Sequence, residues 1–546
     1  MGKRGRAVEV LAIALTLAGL AVAISLAAAS DGVYQDDDIC HYLYARDSWH
    51  SRDALLDWWA KPGYNIPTML VAHLFGVPGC RVFSALMTAG TAYLAYRIAR
   101  RTLGCTPAAA LAPALVWVQP LVMTLACTTL TETPAALYLS LGVWLLMRGN
   151  RIWACTAFSL LFVTRFEAMV LAPIPAAAIV REALRRKQWR IGPAMRTGWL
   201  WACAGAMVWA PVLYLVATAV AEVSKEASVL HMLSRQYVQT YGKGAWHHYI
   251  AIWPEAIGVG ALSLTVAGAV SAGRRAALVS AMTFGLVAVH AVLFANGLFA
   301  SGGYSRFLVP VSGLAGALAA CGLRAAWRGQ GRLSSAAVFA TVAAALYLLD
   351  RDFPSIFQGR QVTMPIVIVL AFWAVLGLAT TMLNRPRPRA IMGRFAAAFA
   401  VLLAVAQAVG QVGPLRLARD PVRAVIAQAV EVTRQAPYAD RMVISQHVLT
   451  RFLREDAVRA WTNLDAVDKW RATGAGTLFL WENKDCFKAR EMESTRLLHD
   501  EMFRLGRLVC RKESRRAIAE VFERLPGAQT RPAGTVPPTP IWSPSE

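Results

Sequence analysis

The stretch KRGRAVEVLAIALTLAGLAVAISLAAA (Lys3–Ala29), closely followed by QDDDICH (Gln35–His41), decides how this chain is read. The apolar run over residues 7–29 is long enough to cross a bilayer as a helix. Lys3, Arg4 and Arg6 hold its start on the inner side. The run is longer than the apolar part of a signal peptide, so an uncleaved signal anchor is expected, although Ala27-Ala28-Ala29 looks cleavable. The chain then emerges on the far side with Asp36, Asp37 and Asp38 in a row. Three adjacent carboxylates are a poor choice beside a membrane unless something uses them.

The pattern of the first span recurs. The chain has 546 residues, is 56% hydrophobic, carries only 16% charged residues and has a mean hydropathy of +0.43. Its apolar runs are uniform rather than one-faced, which excludes a large soluble helical protein. The net charge of +23 does not point to nucleic acid. Outside the C-terminal region the basic residues sit in short clusters between apolar runs, the distribution of charge retained on the cytoplasmic side; a nucleic-acid binder concentrates them on one soluble domain.

Spans are expected at about 82–99, 108–126, 133–147, 152–164, 168–181, 198–220, 250–272, 277–298, 306–323, 334–349, 363–383 and 395–412. With the first, that makes about 13, N-terminus in and C-terminus out. Every strongly basic short loop then falls on one side, including Arg181 to Lys187, Arg274-Arg275, Arg324 to Arg332 and Arg385 to Arg394. The fold class is mainly α, a polytopic membrane helix bundle over 1–412 with a first outer loop at 30–80. The acid-rich and Trp-rich stretch from Ser30 to Lys61 suits an interfacial helix.

From about Gly413 the long apolar runs stop. Arg441 to Ser445 and Gly476 to Trp481 read as short buried strands, 421–435 and about 486–507 as helices. A small α/β or α+β domain outside the membrane is expected over 413–526, then a Pro-rich loose tail, 527–546. In an oxidising compartment Cys486 and Cys510 would be able to pair.

Several charged residues fall at span ends on the outer side. Adjacent carboxylates repel, so one of Asp36 to Asp38 is expected to hold its proton unusually well and to serve as a base toward an acceptor hydroxyl; the bland alternative is an acidic surface turn. Arg165-Phe166-Glu167 sits at a tight junction of two spans, where a charged pair is costly and needs a partner or a use. Arg165 would hold an anionic group there, or simply fix the junction with Glu167. Glu132, in Thr131-Glu132-Thr133-Pro134, starts another span and also suits a helix N-terminus. Arg306, in Tyr304-Ser305-Arg306-Phe307-Leu308-Val309-Pro310, would suit a phosphate or an interfacial anchor. Lys61-Pro62-Gly63-Tyr64 closes the first outer loop, and Lys61, Tyr304 and His41 complete the candidate polar set. His231, His247 and His248 read as polar loop residues with a weaker case as metal ligands. Carboxylates are also able to hold Mg²⁺ or Mn²⁺ through oxygen, but one triplet does not establish a cation site.

This order of residues resembles the GT-C membrane glycosyltransferases: the protein O-mannosyltransferases, the lipid A aminoarabinose transferases and the GPI-type mannosyltransferases. The acidic start of the first outer loop, the amphipathic stretch, the Lys-Pro-Gly-Tyr closure, Arg165-Phe166-Glu167 and the Tyr304 to Pro310 segment carry the likeness. The resemblance implies an inverting transfer of a sugar from a polyprenyl-phosphate donor to a lipid, glycan or protein acceptor, on the extracytoplasmic face of a bacterial-type inner or plasma membrane. It implies Asp37 as the base, with Asp36 and Asp38 able to replace it, and Arg165 or Arg306 as the partner of the departing phosphate. The chain departs from the pattern in having three acids, all Asp, which leaves the base open among them. The competing readings are a transporter or flippase of lipid-linked substrates and a non-enzymatic envelope scaffold. A transporter is disfavoured because the charges gather at span ends rather than at the midplane.

Overall fold

The structure, a computed structural model, describes residues 3–30, 33–51, 54–55, 60–185, 216, 243–298, 303–328, 386–415, 421–459, 463–482, 492–514 and 517–526. The spans expected at 198–220, 334–349 and 363–383, most of the outer loop with His231, the thiol of Cys486 and the tail from 527 lie outside them. The chain divides into two units. One comprises Met1–Ala29 with Tyr44–Arg416, the other Ser30–Leu43 with Leu417–Glu546.

The first unit is a helical bundle. Lys3–Ala29, Pro62–Leu103, Val259–Asn296 and Ser305–Trp327 are each long and apolar enough to cross a membrane, and Glu132–Met147, Arg151–Thr164 and Ala390–Ala406 are shorter apolar helices. This is an integral membrane protein with a polytopic helical bundle. The expected span at 108–126 is instead three short helices, Pro107–Ala110, Ala112–Trp117 and Pro120–Leu125, each with a proline in its first turn. Proline starts a helix readily and cannot continue one. The expected span at 82–99 is the second part of Pro62–Leu103, a helix broken at Gly76, whose φ of 60° is left-handed.

Two features orient this unit. Glu9, near the start of the first helix, accepts from Arg100 Nη1 at 2.7 Å and from the Tyr93 hydroxyl at 3.1 Å near the end of Pro62–Leu103. Arg97 and Arg148 both lie over the Trp144 ring, at 5.1 and 5.0 Å. The basic ends of three helices therefore meet at one end of the bundle. Glu132 opens the 16-residue helix whose last turn holds Trp144, so it stands about 20 Å away, at the opposite end. Packing between helices relies on small residues, as expected where apolar burial drives nothing. Gly268 packs on the Leu318 carbonyl and Gly322 on that of Leu264, and a Cβ at either would collide with backbone.

The second unit contains a five-stranded sheet: β1 Val443–Ser445, β2 Val458–Arg459, β3 Leu478–Glu482, β4 Gly506–Ser514 and β5 Ala517–Arg524. Their order is β2-β1-β3-β5-β4. β1 pairs in parallel with β2 and β3; β5 runs antiparallel to β3 and β4. Every residue of β3 is buried, which is why it reads as a continuous apolar run. The β4–β5 hairpin has no counterpart in the sequence reading. β4 is a charged edge strand with Arg507, Arg511, Lys512 and Glu513, and charge on an edge blunts it against pairing while hiding its alternation. The helix expected at about 486–507 ends at Leu505. Trp470, Phe479, Met502 and Phe522 centre the core between sheet and helices.

Two carboxylates tie this unit's periphery. Glu523 accepts from Arg441 and, at 2.8 Å, from Arg507. Glu501 accepts from Arg471 at 2.9 Å and from Arg504 at 2.8 Å. Burial pushes both carboxyls up, but the guanidinium partners outweigh it and hold both below the usual range. A folded-state value below the unfolded one gives stability that is complete above the unfolded value, about 4.3, and lost as pH falls through the folded value. Hydrogen-exchange protection of residues 478–482 and 517–524, corrected for intrinsic rate, is therefore expected to stay level down to about pH 5 and to fall below about 4.3. Level protection down to pH 3 would show that these pairs contribute nothing.

Candidate active site

The first unit gathers six of the sequence-predicted residues: Lys61, Glu132, Arg165, Glu167, Tyr304 and Arg306. Pro62 occupies the first turn of Pro62–Leu103. Gly63 lies so close to Leu160 and Thr164 that no side chain fits, and its carbonyl accepts from the Tyr138 hydroxyl at 2.8 Å. The Lys-Pro-Gly-Tyr closure is thus a close helix contact, and it places Lys61 Nζ 4.2 Å above the Phe166 ring. The next helix, Arg151–Thr164, stops at Arg165, which is extended (φ −139°) and leads into a 3₁₀ turn, Phe166–Leu171. That break turns Arg165 and Glu167 inward together.

Arg165 Nε donates to Glu167 Oε1 at 2.5 Å and its Nη1 to Glu132 Oε1 at 3.1 Å. Arg306 Nε stands 3.6 Å from the same Glu132 oxygen. All four side chains are buried, Glu132 to 1% exposure and Arg306 to 4%. Glu132 Oε2 has no hydrogen-bond partner among the described residues. Both guanidinia lie over Phe307, at 4.3 Å for Arg165 and 5.3 Å for Arg306, and Arg306 also over Tyr304 at 5.2 Å. The aromatic faces add cation–π attraction in a site stripped of water. With Lys61, cations outnumber carboxylates.

Phe307 and His290 were missed by the sequence reading. The His290 ring stacks on Phe307 at 5.5 Å and is buried to 1%. The available signal was an ionisable side chain inside an apolar run. Together with Arg165, Glu167 and Pro310 it lines a crevice with no room for a water-sized sphere. His248 is accounted for differently from a metal ligand: its Nε2 bonds the Gly303 carbonyl at 2.9 Å, fixing the turn before Tyr304. Among the described residues no three His, Cys, Asp or Glu side chains converge on a cation site.

Asp36, Asp37, Asp38 and His41 fall in the second unit. The triplet fills the first turn of the helix Asp36–Asp47, where the macrodipole favours anions. Asp38 is buried and accepts from the Tyr34 N–H at 3.1 Å. Asp36 Oδ1 accepts from Arg423 Nε and Nη2, both at 3.0 Å. Asp37 is half-buried, and His41 is buried. Burial pushes the neighbouring Cys40 thiol up to about 12, against the pull of Arg459 beside it. Cys40 therefore stays protonated at neutral pH and is no nucleophile.

No family model and no curated protein matches this chain. Solved structures do. The fold is similar to that of ArnT from Cupriavidus metallidurans bound to undecaprenyl phosphate, with a TM-score of 0.54 at 14% identity over 95% of this chain and 99% of that one. The apo form of the same protein gives a TM-score of 0.54 at 14% identity, over 94% and 97%. At 14% identity the likeness is one of fold.

Proposed function

We propose that this chain is a membrane glycosyltransferase that takes a sugar from a polyprenyl-phosphate donor at the extracytoplasmic face. The observation that carries the reading is a buried cluster of two arginines and two glutamates within a fold like that of an undecaprenyl-phosphate-binding protein. A dianionic phosphate leaving group needs buried cations aimed at it, and stabilisation of that kind is often the largest catalytic contribution. Arg165, Arg306 and Lys61 supply them. Glu132 and Glu167 hold the guanidinia in place before the lipid arrives.

In the reaction the acceptor oxygen attacks the anomeric carbon as the bond from that carbon to the phosphate oxygen breaks. The electron pair leaves with polyprenyl phosphate, the acceptor proton passes to the Asp37 carboxylate, and the anomeric configuration inverts. Asp36 and Asp38 are the alternative bases. The acceptor is a lipid, glycan or protein of the cell envelope. The N-terminus is cytoplasmic, and the unit built on the sheet is extracytoplasmic.

Proteoliposomes given a radiolabelled polyprenyl-phosphate sugar and extracted envelope acceptors test this. The expected result is label in the acceptor with inverted anomeric configuration, and release of polyprenyl phosphate. Label that crosses the bilayer still attached to its lipid would replace the proposal with transport. Neither transfer nor crossing would leave a scaffold.

A further inference from the structure

The order β2-β1-β3 of the parallel strands has a consequence for the acidic triplet. From β1 the chain moves outward to β2, then crosses back past β1 to β3. In an open α/β sheet the crevice at the carboxyl ends of strands flanking such a reversal is where ligands bind. Here β1 ends at Ser445 and is followed by Gln446 and His447; β2 ends at Arg459. The start of the helix Asp36–Asp47 meets those same ends. Cys40 lies beside Arg459, and the Tyr42 ring packs edge-on against Phe452 at 5.8 Å.

Two side chains of the C-terminal segment reach the triplet itself. Arg423, from the helix Pro421–Arg434, uses Nε and Nη2 on Asp36 Oδ1 and Nη1 on the Val33 carbonyl at 3.1 Å. One planar guanidinium thus joins the incoming loop to the first helical residue, a fork that lysine cannot reproduce. His447 is buried to 1%. Its Nδ1 accepts from the Leu449 N–H at 3.1 Å, capping the helix Val448–Leu453. The neutral ring therefore carries its proton on Nε2, and Nε2 stands 3.9 Å from Asp36 Oδ2.

We infer that Arg423 is a positioning residue for the transfer: it clamps Asp36, and through it sets the place and the charge of Asp37. Asp36 is then the anchor rather than the base. Its charge is balanced by Arg423, so Asp37 ionises beside a neutralised neighbour instead of a bare carboxylate. Asp38, Cys40 and His41 lie on the same helix, and Arg459 at the end of β2 stands beside Cys40. Like charge raises a carboxyl pKa and a nearby cation lowers it. The C-terminal segment would thus position the proposed base in addition to any role in acceptor choice. This rests on the proposed assignment of the base to the triplet.

The test uses full-length protein in detergent and in proteoliposomes. In Arg423→Gln, hydrogen-exchange protection of residues 33–43 is expected to be lost while that of 478–482 and 517–524 is kept. The kcat for transfer is expected to fall about 10- to 100-fold with the donor KM little changed. The acidic limb of its pH profile is expected to move up by about one unit. Arg423→Lys returns the limb to its wild-type pH but restores the protection only in part, because it supplies charge without the fork. Unchanged protection at 33–43 in Arg423→Gln overturns the clamp, whatever the activity. Lost protection and lower activity with an unmoved pH limb reduces Arg423 to a structural tie and overturns its effect on the base. Wild-type protein that transfers no sugar defeats the functional reading alone, since the exchange measurement still decides the clamp.

Discussion

Asp37→Asn is expected to lower sugar transfer about 10²- to 10⁴-fold, the range that a positioned general base contributes, while the protein stays inserted and abundant. The substitution keeps shape and removes only the ability to take a proton. Asp37 lies in the first turn of the helix Asp36–Asp47, between Asp36, which accepts from Arg423, and Asp38, which accepts from the Tyr34 N–H. Asp38→Asn keeps an acceptor oxygen for Tyr34 and is expected to retain most activity. Asp36→Asn weakens the Arg423 contact and falls between the two. Transfer rates per unit of inserted protein, measured with a polyprenyl-phosphate sugar, check the series. Wild-type activity in all three single variants would remove the triplet from the chemistry.

The second large effect is expected at Arg165. Its guanidinium bridges Glu167 at 2.5 Å and Glu132 at 3.1 Å. Arg165→Gln leaves two buried carboxylates without the guanidinium that bridges them, with Arg306 and the more distant Lys61 to balance them. Losing one member of a buried ion pair costs about 3–5 kcal/mol, so the thermal midpoint in detergent and the level in the membrane are both expected to drop. Transfer is expected to drop further, by about 10²- to 10³-fold per folded molecule, as when an aimed electrostatic donor is lost. The combination Arg165→Gln, Glu167→Gln separates the two effects. It removes the stranded carboxylate and leaves Glu132 beside Arg306, so stability is expected to return while transfer does not. Recovery of both would make Arg165 a brace of the junction and nothing more.

How much of this was legible in the sequence follows from where the signal lies. The apolar runs made a membrane bundle plain because hydrocarbon demands about twenty uninterrupted apolar residues per helical crossing. Arg165, Glu167, Glu132 and Arg306 stood out for the matching reason, that charge near the hydrocarbon is costly enough to need a purpose. Lys61-Pro62-Gly63-Tyr64 was legible as the closure of the first outer loop, and the close helix contact at Gly63 only from the packing. Phe307 and His290 drew no attention, since an aromatic in an apolar segment looks like every other core residue until its neighbours are known. The residue range 108–126 was composed like a span, and only its prolines betrayed that it is three short helices. The charged strand β4 concealed its alternation.

The sequence by itself marked a polytopic apolar bundle, the charged residues that interrupt it, and the apolar runs that form β1 and β3. Those are local properties, set by hydropathy over a window and by the cost of desolvating charge. Only the tertiary structure decided which charges share an oxygen. Glu132, Arg165 and Arg306 lie far apart in the chain and meet at one carboxylate. It also decided that Asp36 answers to Arg423, 387 residues away. Such pairings depend on the register of packed helices and on the crossing order of strands, and no window along the chain contains both partners.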